Sequence, residues 1–128
     1  HDDIVEFGKK RCPMNHPAVM YRKSTVLEVG GYGEYRFSQD YHLWVRMILN
    51  GAKLYNIQEC LVNMRVGHSM LNRRGGVNYA INEINLQYKF LGFGFITIFR
   101  FILNLLIRIP VRLLPNRLRY FVYKIIRS

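Results

Sequence analysis

The stretch FSQDYHLWVRM, residues 37 to 47, sets one acid, Asp40, among large apolar and aromatic side chains. A carboxylate so placed can take a proton, bind a ligand or favour the positive end of a helix. On a helix at about 100° per residue, Gln39, His42, Arg46 and Asn50 share one stripe, the expected solvent face. Asp40 falls instead beside Leu43, Trp44 and Met47, on the flank expected to face protein. A carboxylate there loses hydration and must be paired, bound to a ligand or raised in pKa. Its place in the first helical turn leaves a plainer reading open, in which it only complements the macrodipole.

Other residues invite chemistry more weakly. Arg73-Arg74-Gly75-Gly76 joins two guanidiniums to a flexible backbone just before a helix, which suits a diphosphate but equally an exposed basic turn. His16 and His68 have no second ligand at metal spacing and read as ordinary loop histidines. Cys12 and Cys60 lie far apart, neither in a C-x-x-C pair, and read as reduced, buried thiols. No nucleophilic triad order, P-loop or G-x-G-x-x-G fingerprint occurs.

Several elements must position these groups. A short helix is expected before Pro13, a brief strand at AVMYRK, and a short helix at STVLEV stopped by Gly30 and Gly31. The loop GGYGEYRF follows, with three glycines and three aromatic residues in eight positions, the mark of a shaped loop. Ser38 is the expected N-cap of the Asp40 helix, which should end at Asn50-Gly51. KLYNIQ and CLVNMRV read as short strands. Val77, Ile81, Ile84, Tyr88 and Leu91 then recur at helical spacing, opposite Asn78, Asn82, Asn85 and Lys89, and predict a helix docked by that apolar face.

The 128 residues suit one domain or part of a larger one, and half of them are hydrophobic, enough for a core. No leader pattern precedes the fold, so no secretory signal is expected. A formal charge of +11 implies an anionic partner, and its distribution narrows the choice. All 8 acids and eleven of the 19 basic residues precede Ile84; the other basic residues follow with no acid among them. Between Phe93 and Ile109 the chain is almost wholly apolar, but Arg100 and Arg108 break the run below the roughly 20 residues that a span needs. Thr97, Arg100, Asn104, Arg108 and Arg112 form one polar stripe, and the wide remaining apolar face suits a helix in a membrane interface. A core helix packed on another part of the protein is the alternative. Pro110 and Pro115 should interrupt this helix before a second basic-aromatic one begins.

Taken in order, NHPAVMYRKSTVLEVGGY, QDYHLWVRMILNGAKLYNIQECLVNMRVG and MLNRRGG resemble the C-terminal half of bacterial family 2 glycosyltransferases, especially those of capsular and exopolysaccharide assembly. The resemblance covers roughly residues 8 to 128 and rests most on the G-G-Y and Q-D-Y-x-L-W elements. It implies an α/β, GT-A type fold: residues 1–92 as the acceptor-side part and 93–128 as a basic, amphipathic membrane-surface tail. It implies Asp40 as the catalytic base of an inverting transfer, with Gln39 standing where many members have Glu. It assigns substrate contacts to Gly30, Gly31 and Tyr32, and diphosphate contacts to Arg65, Arg73 and Arg74, with His68 near metal or phosphate; Trp44 packs behind the site.

The implied partners are a nucleotide-sugar donor, a lipid-linked acceptor and an anionic membrane surface, at the inner face of the cytoplasmic membrane. The implied cofactor is a divalent metal, Mn or Mg, held by a D-x-D motif of an N-terminal half. Asp2-Asp3 lacks that setting, so this stretch alone is not expected to turn over. Two rivals stand beside this reading, a non-catalytic remnant and a basic nucleic-acid-binding module. Against the latter, the cations of the tail alternate with Ile, Leu and Phe instead of lining a polar face, so no nucleic acid is expected.

Overall fold

The computed structural model describes residues 1–35, 37–63, 75–115, 118–119 and 121–122. The chain divides into two compact units, His1–Asn63 and Met64–Ser128. The first holds α1 (Asp2–Gly8), a 3-10 turn (His16–Ala18), α2 (Lys23–Glu28) and α3 (Gln39–Leu49). The second holds α4 (Val77–Gly92) and α5 (Ile98–Leu113).

The expected α/β architecture is corrected by this arrangement, because the described residues form helices and no strand. AVMYRK and KLYNIQ were legible as strands from side-chain type alone, yet a strand exists only when a neighbour accepts and donates its backbone hydrogen bonds. Val19 is extended, at φ −106° and ψ 141°, without joining a sheet, and residues 52–63 run outside any helix or strand. Tyr55, Ile57, Leu61 and Val62 are exposed there instead of buried. The end of CLVNMRV lies outside the described residues.

Helix ends explain how the first unit holds its shape. At the end of α2 the Gly30 amide donates to Leu27 O and the Gly31 amide to Val26 O; α3 ends alike, with Gly51 on Ile48 O and Ala52 on Met47 O. Each pair closes a Schellman motif, which needs a left-handed residue just past the helix. Gly30 at φ +81° and Gly51 at φ +84° supply it without a Cβ clash. Both stops were legible in the sequence. The start of α3 differs from expectation: Ser38 is itself left-handed, at φ 57°, and its side chain caps nothing.

The core of this unit is Val26, Leu43, Trp44 and Met47, with Cys12, Met14, Val19, Val29 and Ala52 packed around it. The Tyr41 hydroxyl ties α3 to α1 through Gly8 O at 2.5 Å. His42 does not lie on a solvent face: it is buried, its ring 4.5 Å from that of Tyr35. Of the expected polar stripe, only Gln39 and Asn50 are fully exposed. Cys60 is exposed, not buried.

In the second unit α4 and α5 form an antiparallel hairpin, turned by Gly94 and closed by Phe95 N donating to Phe90 O. The buried face of α4 is Ala80, Glu83, Leu86, Gln87 and Phe90, not the face expected from its apolar spacing. Val77, Ile81, Ile84 and Tyr88 are exposed. The reason lies in α5, whose polar stripe turns inward: Asn104 donates to Gln87 Oε1 at 2.8 Å, and Arg108 and Arg112 pair with Glu83, the latter at 3.3 Å. Buried polar groups require partners, so one helix with an inward polar stripe selects the face of the other that carries Glu83 and Gln87. Pro110 does not end α5, which runs on to Leu113. Arg108 and Arg112 anchor the turns on either side of it, and it sacrifices a single backbone donor on the exposed side of the helix.

Candidate functional site

Asp40 sits half-buried in the first turn of α3, with the Cys12 thiol 4.0 Å from its Oδ2. Above it lies a cluster that the sequence did not announce. The Tyr32 hydroxyl lies 2.9 Å from His16 Nε2 and shares a 3.1 Å hydrogen bond with the Tyr21 hydroxyl. Three polar tips from the 3-10 turn, the entry to α2 and the Gly-Gly-Tyr loop therefore converge.

Burial, the Tyr21 hydrogen bond and, least, the negative charge of Asp40 push the Tyr32 phenol up to about 12. Each disfavours a phenolate. Tyr32 thus stays a neutral hydroxyl, able to donate or accept a hydrogen bond.

Trp44 forms the floor. It is fully buried, with its ring centroid 5.8 Å from Tyr21 and 6.2 Å from His16, so it packs behind these residues. Trp44 and Tyr21 also line a cavity of about 570 Å³, whose other walls include Met20, Arg22, Met47, Lys53 and Tyr55.

The glycine loop is held to the Asp40 helix by Arg46 and by the stacking of Tyr35 on His42. Arg46 donates from Nη1 to Val29 O and from Nη2 to Gly31 O. Gly31 is left-handed, at φ +69°, and a Cβ there would meet no neighbour within 4 Å, so the constraint is conformational and not steric. At Gly33 a Cβ would meet the Tyr35 ring at 2.9 Å.

Of the residues expected in the site, Gly30, Gly31 and Tyr32 form one loop that Arg46 joins to the helix of Asp40, and Gln39 lies exposed next to Asp40. Arg65, His68, Arg73 and Arg74 lie outside the described residues. The glycines of the basic turn have a packing role: the Arg119 guanidinium lies where a Gly75 Cβ would be, and the Gly76 amide donates to Arg112 O at 2.9 Å. Sequence reasoning missed His16, Tyr21 and Arg46. Only the tyrosines and histidine crowding the glycine loop could have signalled the first two, and Arg46 looked like a solvent cation. Among the described residues no group of three or more His, Cys, Asp or Glu could hold a metal ion. These residues therefore do not fit a divalent cation.

No family model and no solved structure matches the chain. Curated proteins do. It is 44% identical over 123 residues to the Escherichia coli UDP-Gal:alpha-D-GlcNAc-diphosphoundecaprenol beta-1,3-galactosyltransferase, covering 96% of this chain and 45% of that protein. It is 36% identical over 125 residues to an uncharacterized glycosyltransferase of Haemophilus influenzae, covering 95% of this chain and 45% of that protein. The amylovoran biosynthesis glycosyltransferase AmsE of Erwinia amylovora is 33% identical over 124 residues, covering 97% and 47%. The chain thus spans less than half the length of these relatives. Over nearly its whole length it is homologous to part of bacterial proteins named as glycosyltransferases.

Proposed function

We propose that this chain is part of a family 2, inverting glycosyltransferase in which Asp40 is the general base. The observation that carries this is a half-buried carboxylate on the helix to which Arg46 ties the glycine loop that bears Tyr32. The donor class is a nucleotide sugar and the acceptor a lipid-linked diphosphate sugar, by extension from the Escherichia coli relative's name. Residues 93–128 hold the protein against an anionic membrane at its inner face. Asp40 takes the proton of the acceptor hydroxyl as its oxygen bonds to the anomeric carbon. The carbon's bond to the donor diphosphate breaks on the opposite side, the diphosphate leaves with the electron pair, and the configuration inverts. Tyr21, Tyr32 and His16 hydrogen-bond the sugar hydroxyls and orient the acceptor.

The reading assigns Arg65, Arg73 and Arg74 to the diphosphate and His68 to its neighbourhood. A divalent metal, Mn or Mg, belongs to the proposal only with ligands from outside the described residues. Transfer is proposed for the whole protein and not for this stretch alone. The test is Asp40→Asn in the full-length enzyme, which is expected to abolish transfer while leaving donor binding nearly unchanged. Turnover at the normal rate in that variant removes Asp40 from the role.

A further inference from the structure

Helix α5 is built inside out. Along an aqueous surface, a helix turns its polar residues to solvent and its apolar stripe to the core. In α5 the outward arc is Ile98, Phe99, Ile102, Leu106, Ile107 and Leu113, between 50% and 76% exposed, with no polar side chain among them. The polar residues face the other way. Asn104 is 4% exposed, and the Arg108 and Arg112 side chains are only 14% and 15% exposed, committed to Glu83 of α4. Two of the cations that should have gripped lipid phosphates, Arg108 and Arg112, are thus committed inside the hairpin, and Arg100 is left at its edge.

We propose that the outer arc of α5 lies in the hydrocarbon edge of a bilayer and holds the protein there by apolar insertion, not by attraction of cations to head groups. This rests on the membrane-side reading of the function. An exposed apolar band of this length marks an interaction site. A protein partner is normally met by an apolar centre with a polar rim, whereas this arc is apolar from Ile98 to Leu113 along its whole length. The chain from Ile84 onward carries no acid, so nothing near the arc repels anionic head groups. No described helix is long and apolar enough to cross a membrane, and α5, at 16 residues, would reach only about 24 Å, so it lies along the surface with one face immersed.

The test is flotation of the full-length enzyme with vesicles of phosphatidylcholine alone and of phosphatidylcholine with phosphatidylglycerol, at low and high salt. Binding to the neutral vesicles is expected, changing less than about threefold across the salt range, since apolar contact is not screened. Leu106→Asn and Ile107→Asn should each weaken it on the order of tenfold with the helical circular dichroism intact. Arg100→Gln should change it about twofold or less. Binding to anionic vesicles alone, lost in salt, overturns apolar insertion but leaves the membrane-side reading standing. Binding to neither, by a folded chain, overturns both. A lipid-free dimer that Leu106→Asn dissolves assigns the arc to a second copy and overturns the inference.

Discussion

Arg46, on the third turn of α3, donates two hydrogen bonds to the carbonyls of Val29 and Gly31, fixing the glycine loop to the helix that carries Asp40. The loop also touches α3 through Tyr35 on His42, but only the Arg46 fork holds its backbone on the side of Tyr32 that leads back to α2. Arg46 is therefore the positioning residue of the site. Hydrogen bonds to a charged donor contribute about 1.5–3 kcal/mol each, less where water competes. Arg46→Ala should cost the first unit about 2 kcal/mol, read by urea unfolding with Trp44 fluorescence. Trp44 is the one tryptophan and is fully buried in that unit, so its signal is specific. Arg46→Lys, with a point charge in place of a fork, should recover less than half of the loss. An unchanged midpoint for Arg46→Ala rules out the positioning role.

The Tyr32 phenol offers a probe of the same geometry. Its folded value is raised from 10.0 to about 12, so the folded state retains a proton that the unfolded chain loses first. The associated stability is therefore fully present below pH 10 and is lost as the pH rises toward about 12. A phenolate absorbance titration should show a late-ionising component that is lost in Tyr32→Phe. Tyr21→Phe should advance it more than Asp40→Asn, because burial and the Tyr21 bond outweigh the Asp40 charge. No effect of Asp40→Asn at all would place the carboxylate too far from Tyr32 for the proposed site.

The sequence disclosed local signals and concealed pairwise ones. The stops of α2 and α3 were legible because a glycine past a helix end answers a backbone requirement that depends on a few neighbouring residues. The burial of Leu43, Trp44 and Met47 followed from helical spacing. Strand expectations failed because pairing is decided by another segment, and AVMYRK and KLYNIQ find none among the described residues. The face of α4 was misread for a similar reason. Val77, Ile81, Ile84 and Tyr88 are the more apolar stripe, yet Glu83 and Gln87 are buried since α5 brings Arg108 and Asn104 to them. Asp40 could be singled out by its misfit on the wheel, whereas His16 and Tyr21 gained significance only from distances that join them to Tyr32.

The Glu83 cluster should be the weak point of the hairpin. Its carboxylate is 2% exposed and meets two guanidiniums, so removing its charge leaves two cations in a poorly hydrated seam. Breaking such a buried pair costs about 3–5 kcal/mol, and Glu83→Gln should destabilise the second unit by that order. Far-UV circular dichroism against urea reads the loss. Glu83→Gln combined with Arg108→Met should be more stable than Glu83→Gln alone, because one of the stranded charges is gone. If the double variant is the weaker, the seam is not held by charge pairing.

Transfer assays on the full-length enzyme should rank the site residues by the kind of interaction each makes. A general base contributes about 10²–10⁴-fold, so Asp40→Asn falls furthest. Tyr32→Phe and His16→Ala each remove one hydrogen bond, worth about 1 kcal/mol, and should lower the rate roughly fivefold, chiefly through acceptor KM. Gln39 is exposed, and its amide cannot take a proton at neutral pH, so Gln39→Ala should change turnover less than about threefold. The order distinguishes chemistry from orientation at neighbouring positions of one helix. A Gln39→Ala loss as deep as that of Asp40→Asn would move the catalytic role off Asp40 alone, and a Tyr32→Phe loss confined to kcat would make that hydroxyl a participant in proton transfer.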